Sequence, residues 1–241
     1  MIDKLFHLGK EITLDKGKLP KHIAIIIGGN QLWAEDHKEE VSQAYAKSFS
    51  HLLKILEMTI ELNIPILTIH LLSEKMRESP RFIAFMDQLV PFLAALPDSP
   101  LVKNNQVKIS VFGKWYKLPD RLVDAIKETI SKTRVSDRFF LNLCINYDGQ
   151  DEIVDACKLI GKHVSMGRLD PDLVSRETIK ENLYTSSFLP VSLMIITGPT
   201  KSTNGFLLWD SKYAQNYYAK KQWLDFTRGD FLEALGFHQK E

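Results

Sequence analysis

Apolar and polar positions follow two rhythms along this chain. Short unbroken apolar runs rich in Ile, Val and Leu cover residues 22–27, 65–71, 106–112, 138–146 and 191–196. Runs of this length read as strands buried on both faces, as in a parallel sheet. Between them, apolar positions recur at helical spacing. The longest such pattern, 38–62, puts Val41, Tyr45, Phe49, Leu52, Leu53, Leu56 and Ile60 on one stripe. Residues 79–95 carry Phe82, Phe85, Met86, Leu89 and Leu93, and the rhythm repeats over 119–133, 149–163 and 228–237. At the N-terminus Ile2, Leu5, Phe6 and Ile12 are spaced as on a helix, so residues 1–19 are expected to form a helical extension.

Strand–helix alternation without a linker or repeat predicts one α/β domain over residues 1–241, with a mainly parallel sheet covered by helices on both faces. Ligands of open parallel sheets sit at the carboxyl ends of the strands. Polar clusters fall there: Gly28-Gly29-Asn30, Ser73-Glu74-Lys75, Gly113-Lys114, Asn146-Tyr147-Asp148-Gly149 and the stretch from Thr197 to Asn204. The first of these runs from a strand into a glycine turn, which lets backbone N–H groups approach an anion closely. That turn nevertheless holds no Asp, Arg or Lys between Lys21 and Glu35.

Composition narrows the function classes. The 31 Lys and Arg nearly balance the 30 Asp and Glu, giving a net charge of +1 and no general attraction to nucleic acid. The two cysteines, Cys144 and Cys157, lie in apolar patterns and read as buried thiols in a reducing, cytoplasmic setting. No apolar run approaches the roughly 18 residues of a membrane span, and no secretory signal is visible; only the N-terminal apolar stretch offers contact with a membrane surface. The seven histidines are scattered, and no metal-ligand spacing, Ser-His-Asp or Cys-His arrangement emerges.

Three stretches resemble the cis-prenyltransferases, the family of undecaprenyl diphosphate synthase. They are Pro20 to Ile26 with Gly29-Asn30 and Trp33-Ala34, then Leu141 to Val154 around Asn146-Tyr147-Asp148-Gly149, and Phe206 to Ala214. Leu118-Pro119 after Gly113 also fits. The resemblance covers about Pro20 to Phe237. It implies a six-stranded sheet with an apolar tunnel, a homodimer or heterodimer built partly from the C-terminal block, and Mg²⁺-dependent joining of isopentenyl diphosphate to an allylic diphosphate. The helix over 79–95, with its phenylalanines, suits a tunnel wall and equally suits plain core packing.

The departures from the family pattern concentrate at charged positions. The family's metal-serving Asp aligns with Gly28, its neighbouring Arg with Leu32, and a following Arg and His with Val41 and Tyr45. The Ser-Glu-Asn-Trp loop becomes Glu74-Lys75-Met76-Arg77, both arginines of the late phosphate motif become Ile196 and Ser202, and the late metal-serving Glu aligns with Gln215. Each lost Arg contact at about 4 Å is worth on the order of 4 kcal/mol at an effective dielectric of about 20. Mg²⁺ requires hard oxygen ligands, which Gly28 lacks and Gln215 offers only as a neutral carbonyl. Hence no cofactor and no metal ligand are expected.

The candidate substrate contacts are Gly28, Gly29, Asn30, Trp33, His70, Ser73, Asn146, Thr197, Lys201, Ser202 and Asn204. Against each stands a plainer role: a tight turn for Gly29-Asn30, helix packing for Trp33, a solvated loop lysine for Lys201, an unpartnered ring for His70. Gly198 to Ser202 is no Walker A loop, because the glycine spacing is wrong and Pro199 removes a cradle N–H. Asp148, Asp151 and Glu152 read as acids at a helix N-terminus. The function expected is a family member without diphosphate catalysis, acting as a non-catalytic or accessory subunit on an isoprenoid lipid or isoprenoid diphosphate. The rivals are an isoprenoid enzyme of altered chemistry using Lys75, Arg77 and Lys201 as a replacement cationic cluster, and a lipid carrier.

Overall fold

The computed structural model describes residues 2–7 and 10–240, with side chains from residue 14 onward. Six parallel strands form the central sheet: β3 (His22–Ile26), β4 (Ile66–Ser73), β5 (Val107–Phe112), β6 (Phe139–Tyr147), β7 (Leu193–Ile196) and β8 (Gln215–Tyr218), in the spatial order β5-β6-β4-β3-β7-β8. Five of these coincide with the apolar runs. The sixth, β8, is a four-residue edge strand whose residues alternate between half-buried and exposed, so it has no apolar run to announce it. The expected N-terminal helical extension is corrected: β1 (Ile2–His7) and β2 (Lys10–Asp15) pair antiparallel, and a three-residue 3₁₀ turn over Lys16–Lys18 follows. Ile2, Leu5, Phe6 and Ile12 satisfy helical spacing only loosely, and six-residue segments are short for a helix.

The chain crosses between strands through α1 (Asn30–His37), α2 (Val41–Glu61), α3 (Glu74–Arg77), α4 (Phe82–Ala95), α5 (Pro100–Asn104), α6 (Asp120–Thr133), α7 (Gly149–Ser165) and α8 (Arg176–Asn182), and α9 (Arg228–His238) follows the last strand. No described helix is long and apolar enough to cross a membrane. Strand periodicity sorts the sheet into two faces. Ile23, Ile25, Leu67, Ile69, Leu141 and Leu143 pack with residues of α2, α4, α6 and α9 in the large core. The opposite face is smaller and mixed: Ala24, Ile26, Cys144, Met194 and Ile196 pack against Phe206 and Leu207, beside the buried polar residues His22, Thr68, His70 and Asn142.

That polar row is hydrogen-bonded in sequence. His22 Nδ1 lies 2.6 Å from the Leu189 carbonyl, so it must donate, which leaves Nε2 to accept from the Thr68 hydroxyl at 2.7 Å. Thr68 in turn accepts from Asn142 Nδ2 at 3.1 Å. Burial pushes the His22 imidazole down to about 4, so the ring is neutral. The expectation of two buried thiols holds for Cys144 and not for Cys157, which lies on an exposed position of α7.

The phenylalanines of α4 largely fill the core. Phe85 meets Tyr45 and Phe49 edge-on at 5.1 and 5.5 Å, and Phe92 stacks on Phe49 at 5.0 Å. Offset and edge-to-face pairs of this kind lock side chains together. They bring α2 and α4 together below the sheet's carboxyl edge.

Candidate functional site

The strand order turns at β3. From β3 the chain adds β4, passes to the edge strand β5, returns to place β6 between them, then crosses to β7 and β8 on the other side of β3. A crevice opens at the carboxyl ends of strands where such an order reverses. Here a cavity of about 800 Å³ opens there, among the ends of β3, β4, β6 and β7.

Of the candidate contacts, Gly28, Gly29, Asn30, His70, Ser73, Thr197, Ser202 and Asn204 line the cavity. Trp33, Asn146 and Lys201 do not. Trp33 is buried between helix and loop, its indole N–H donating to Asp225 at 2.9 Å, its ring stacked on His37 at 4.1 Å. Asn146 adopts φ 51 and donates from Nδ2 to the Lys114 carbonyl at 2.9 Å, which fixes the end of β6. Lys201 is an exposed loop residue. Its neighbour in the expected cationic cluster, Arg77, also lies off the cavity, 3.8 Å from Glu74 and 3.7 Å from Glu78. The cations that do line the cavity are Lys75 and Arg81. Arg81 follows Pro80 in the loop before α4, and nothing in its spacing pointed to the turn more than fifty residues away.

Parallel pairing of β3 with β7, Ile26 opposite Ile196, delivers the Gly28 and Thr197 turns to the same place. They close on each other. The Thr197 N–H donates to the Ile26 carbonyl at 3.1 Å, and its hydroxyl donates to the same carbonyl at 2.9 Å while accepting from the Gly28 N–H at 3.1 Å. The Gly198 N–H donates to the Lys221 carbonyl at 2.9 Å. A Cβ added at Gly28 would stand 2.5 Å from the Thr197 carbonyl oxygen; one added at Gly198, whose φ is +88, would stand 2.6 Å from the Gly28 carbonyl carbon. Backbone thus fills the space that a side chain at residue 28 would need. Two N–H groups that could meet an anion are already engaged.

The ends of β4 and β6 add no free positive charge. Ser73 accepts from the Met76 N–H at 3.2 Å and caps α3, and Asp148 caps α7 by accepting from the Gln150 and Asp151 N–H groups at 2.8 and 3.3 Å. His70 is buried beside Phe206 at 5.0 Å, and burial pushes its imidazole down to about 4, against the opposing pull of the Tyr147 backbone and Asp148. It is neutral at physiological pH and adds no positive charge. Tyr147, another lining residue, donates its hydroxyl to Glu152. Glu152 is more than the helix-terminal acid its position suggested. It is buried, also accepts from the Thr185 N–H and hydroxyl at 3.2 Å each, and burial raises its carboxyl.

The magnesium ion implied by the resemblance does not fit these residues. Among the described residues no three His, Cys, Asp or Glu side chains gather as a metal site. Gly28 has no ligand atom and no room for one. Gln215 begins β8, opposite Leu193 at the amino end of β7, and its Oε1 lies 2.7 Å from His238 Nδ1.

Comparison with known proteins places these features in a lineage. The family model described as "Putative undecaprenyl diphosphate synthase" matches residues 26–241. The tritrans,polycis-undecaprenyl-diphosphate synthase (geranylgeranyl-diphosphate specific) of Methanocaldococcus jannaschii is 29% identical over 98% of this chain and 86% of its own. The isoprenyl transferase of Prochlorococcus marinus is 32% identical over 92% of this chain and 82% of its own. Among solved structures, lavandulyl diphosphate synthase from Lavandula x intermedia in complex with dimethylallyl diphosphate superposes with a TM-score of 0.86 at 26% identity, covering 93% of this chain and 97% of that one.

Proposed function

Because the chain belongs to the undecaprenyl diphosphate synthase (cis-prenyltransferase) family, we propose that it is a member released from diphosphate catalysis, serving as a non-catalytic or accessory partner of an active relative. The observation that supports this most is the closure of the Gly28 and Thr197–Gly198 turns on each other, backbone against backbone. Ionising an allylic diphosphate requires the departing pyrophosphate to be held by positioned charge. Here the position aligned with the metal-serving Asp is a glycine packed against a carbonyl, and those aligned with arginines are Leu32, Ile196 and Ser202. Ile196 is buried in the apolar core, so no loop movement turns it into a phosphate ligand.

The relatives are named for isoprenoid diphosphates, and a prenyl group is the natural occupant of this cavity's apolar surface at Ile26, Leu71, Met76 and Phe85. In this reading the prenyl pocket persists while the reaction is left to a catalytic subunit, the chain forming a heterodimer with that subunit or a homodimer that serves it. The test is radiolabelled isopentenyl diphosphate with farnesyl or geranylgeranyl diphosphate and Mg²⁺. The purified chain alone is expected to give no elongation above background, whereas robust chain elongation would overturn the reading.

A further inference from the structure

Charge has not vanished from the cavity; it stands on another wall. Four charged side chains line it: Glu74, Lys75, Arg81 and Asp148. The two acids are occupied. Asp148 caps α7 through two backbone N–H groups, and Glu74 lies 3.8 Å from Arg77, outside the cavity. The two cations are not. Among the described residues neither Lys75 nor Arg81 lies within ion-pair distance of a carboxylate, although Lys, Arg, Asp and Glu side chains pair freely elsewhere on the surface, as in Lys47–Glu39 and Arg228–Glu61. Arg81 is half-buried and near enough to Tyr45 to oppose the rise that burial imposes on that phenol. Asn30, whose buried Oδ1 has no partner, lines the same cavity.

From this we infer that Lys75 and Arg81 form an anion subsite on the α3–α4 side of the cavity, which takes the phosphate monoester head group of a short isoprenoid without a divalent metal. The inference rests on the prenyl-pocket part of the proposed function and goes beyond it in naming the head group and its anchor. Two cations without a carboxylate at ion-pair distance match a head group of one to two negative charges. A metal diphosphate would require oxygen ligands this wall lacks. Arg81 supplies a fork of donors suited to phosphate oxygens, and Lys75 a mobile point charge. Apolar Met76 and Phe85 lie next to these cations along the chain and the cavity wall, in place to cover the first prenyl units. A cavity near 800 Å³ suits a drug-sized ligand, and the ring contacts among Tyr45, Phe49, Phe85 and Phe92 limit its depth towards the core.

The experiment titrates the full chain with farnesyl monophosphate, farnesol and farnesyl diphosphate by calorimetry, each in EDTA and in Mg²⁺. Farnesyl monophosphate is expected to bind about tenfold or more tighter than farnesol, equally in EDTA and Mg²⁺, and to weaken as salt rises. The Lys75→Ala/Arg81→Ala double variant should lose about tenfold or more of that affinity, and Arg81→Lys should keep part of it. Lys201→Ala should change nothing. Farnesol binding as tightly as the monophosphate, monophosphate binding that appears only with Mg²⁺, or an unchanged affinity in the double variant would each overturn the subsite. Because the first two are read on the unmodified chain, they decide the matter even if the double variant folds poorly. Elongation activity of the chain alone would instead overturn the proposed function, so the two failures are separable.

Discussion

Two walls of one cavity have been built in opposite ways. On the β3–β7 side, the turns at Gly28 and Thr197–Gly198 are backbone packed on backbone, their polar groups spent on each other and on Lys221. On the α3–α4 side, Lys75 and Arg81 stand without acid partners among the described residues. The first wall is filled by backbone at residue 28; the second is electrostatically incomplete. A ligand gains little from a wall whose hydrogen bonds are already made, because binding would only exchange one partner for another. It gains more where charge is left uncompensated beside apolar surface. The lesson is that a turn closed by backbone is not the same as an empty site. One half has been sealed by small residues, and the other remains open.

The largest effect should come from forcing a side chain into the sealed wall. Gly28→Asp puts a Cβ 2.5 Å from the Thr197 carbonyl oxygen. It is expected to cost about 3 kcal/mol or more of stability, read as a fall in Tm, and to create no Mn²⁺ site visible by electron paramagnetic resonance. If Gly28→Asp were as stable as the parent, the turns would not be closed as described.

Next in size, taken ring by ring, is the acid response of two buried histidines, His70 in the cavity wall and His22 at the amino end of β3. His22 and His70 are neutral in the folded chain, each pushed from an ordinary 6.5 down to about 4. Below about pH 6.5 the unfolded chain therefore takes up protons that the folded chain refuses. Stability is full above that pH and falls as pH drops towards 4, by about 3 kcal/mol for each ring. Urea unfolding between pH 7 and 4 should show this loss, and His22→Gln should flatten the curve by about one ring's share. A curve of unchanged slope in His22→Gln would mean that ring is not held neutral by burial.

Thr197→Val sharpens the comparison further. It removes the hydroxyl that links the Gly28 N–H to the Ile26 carbonyl and keeps the volume. The expected cost is about 1–3 kcal/mol, measured by denaturant midpoint. The smallest effect should be Lys201→Ala, within about 0.5 kcal/mol of the parent, since an exposed loop lysine off the cavity contributes little.

How far the sequence could be read follows the same physics. Strands β3 to β7 were legible because parallel strands covered by helices are near-continuous apolar runs. Strand β8 was not, since an edge strand of sequence Gln-Asn-Tyr-Tyr buries only alternate residues. The β1–β2 pair was mistaken for a helix because a handful of apolar residues in a short segment fits either period. Gly28, His70 and Thr197, expected at adjacent strand ends, do line the cavity. Their closure was not, because a glycine in sequence does not say whether its missing side chain leaves space or is replaced by neighbouring backbone. Arg81 lines the cavity and Lys201 does not for one reason: loop geometry beyond the strand ends decides which cation reaches the cavity, and no periodicity governs it.

The central claim, that the sealed wall cannot grip a metal–pyrophosphate, is met most directly by Mn²⁺ titration of the purified chain with and without inorganic pyrophosphate, followed by electron paramagnetic resonance. The account predicts no saturable protein-bound Mn²⁺ up to millimolar concentrations in either case. A pyrophosphate-dependent Mn²⁺ signal saturating at micromolar concentrations, and abolished in Thr197→Val, would contradict it.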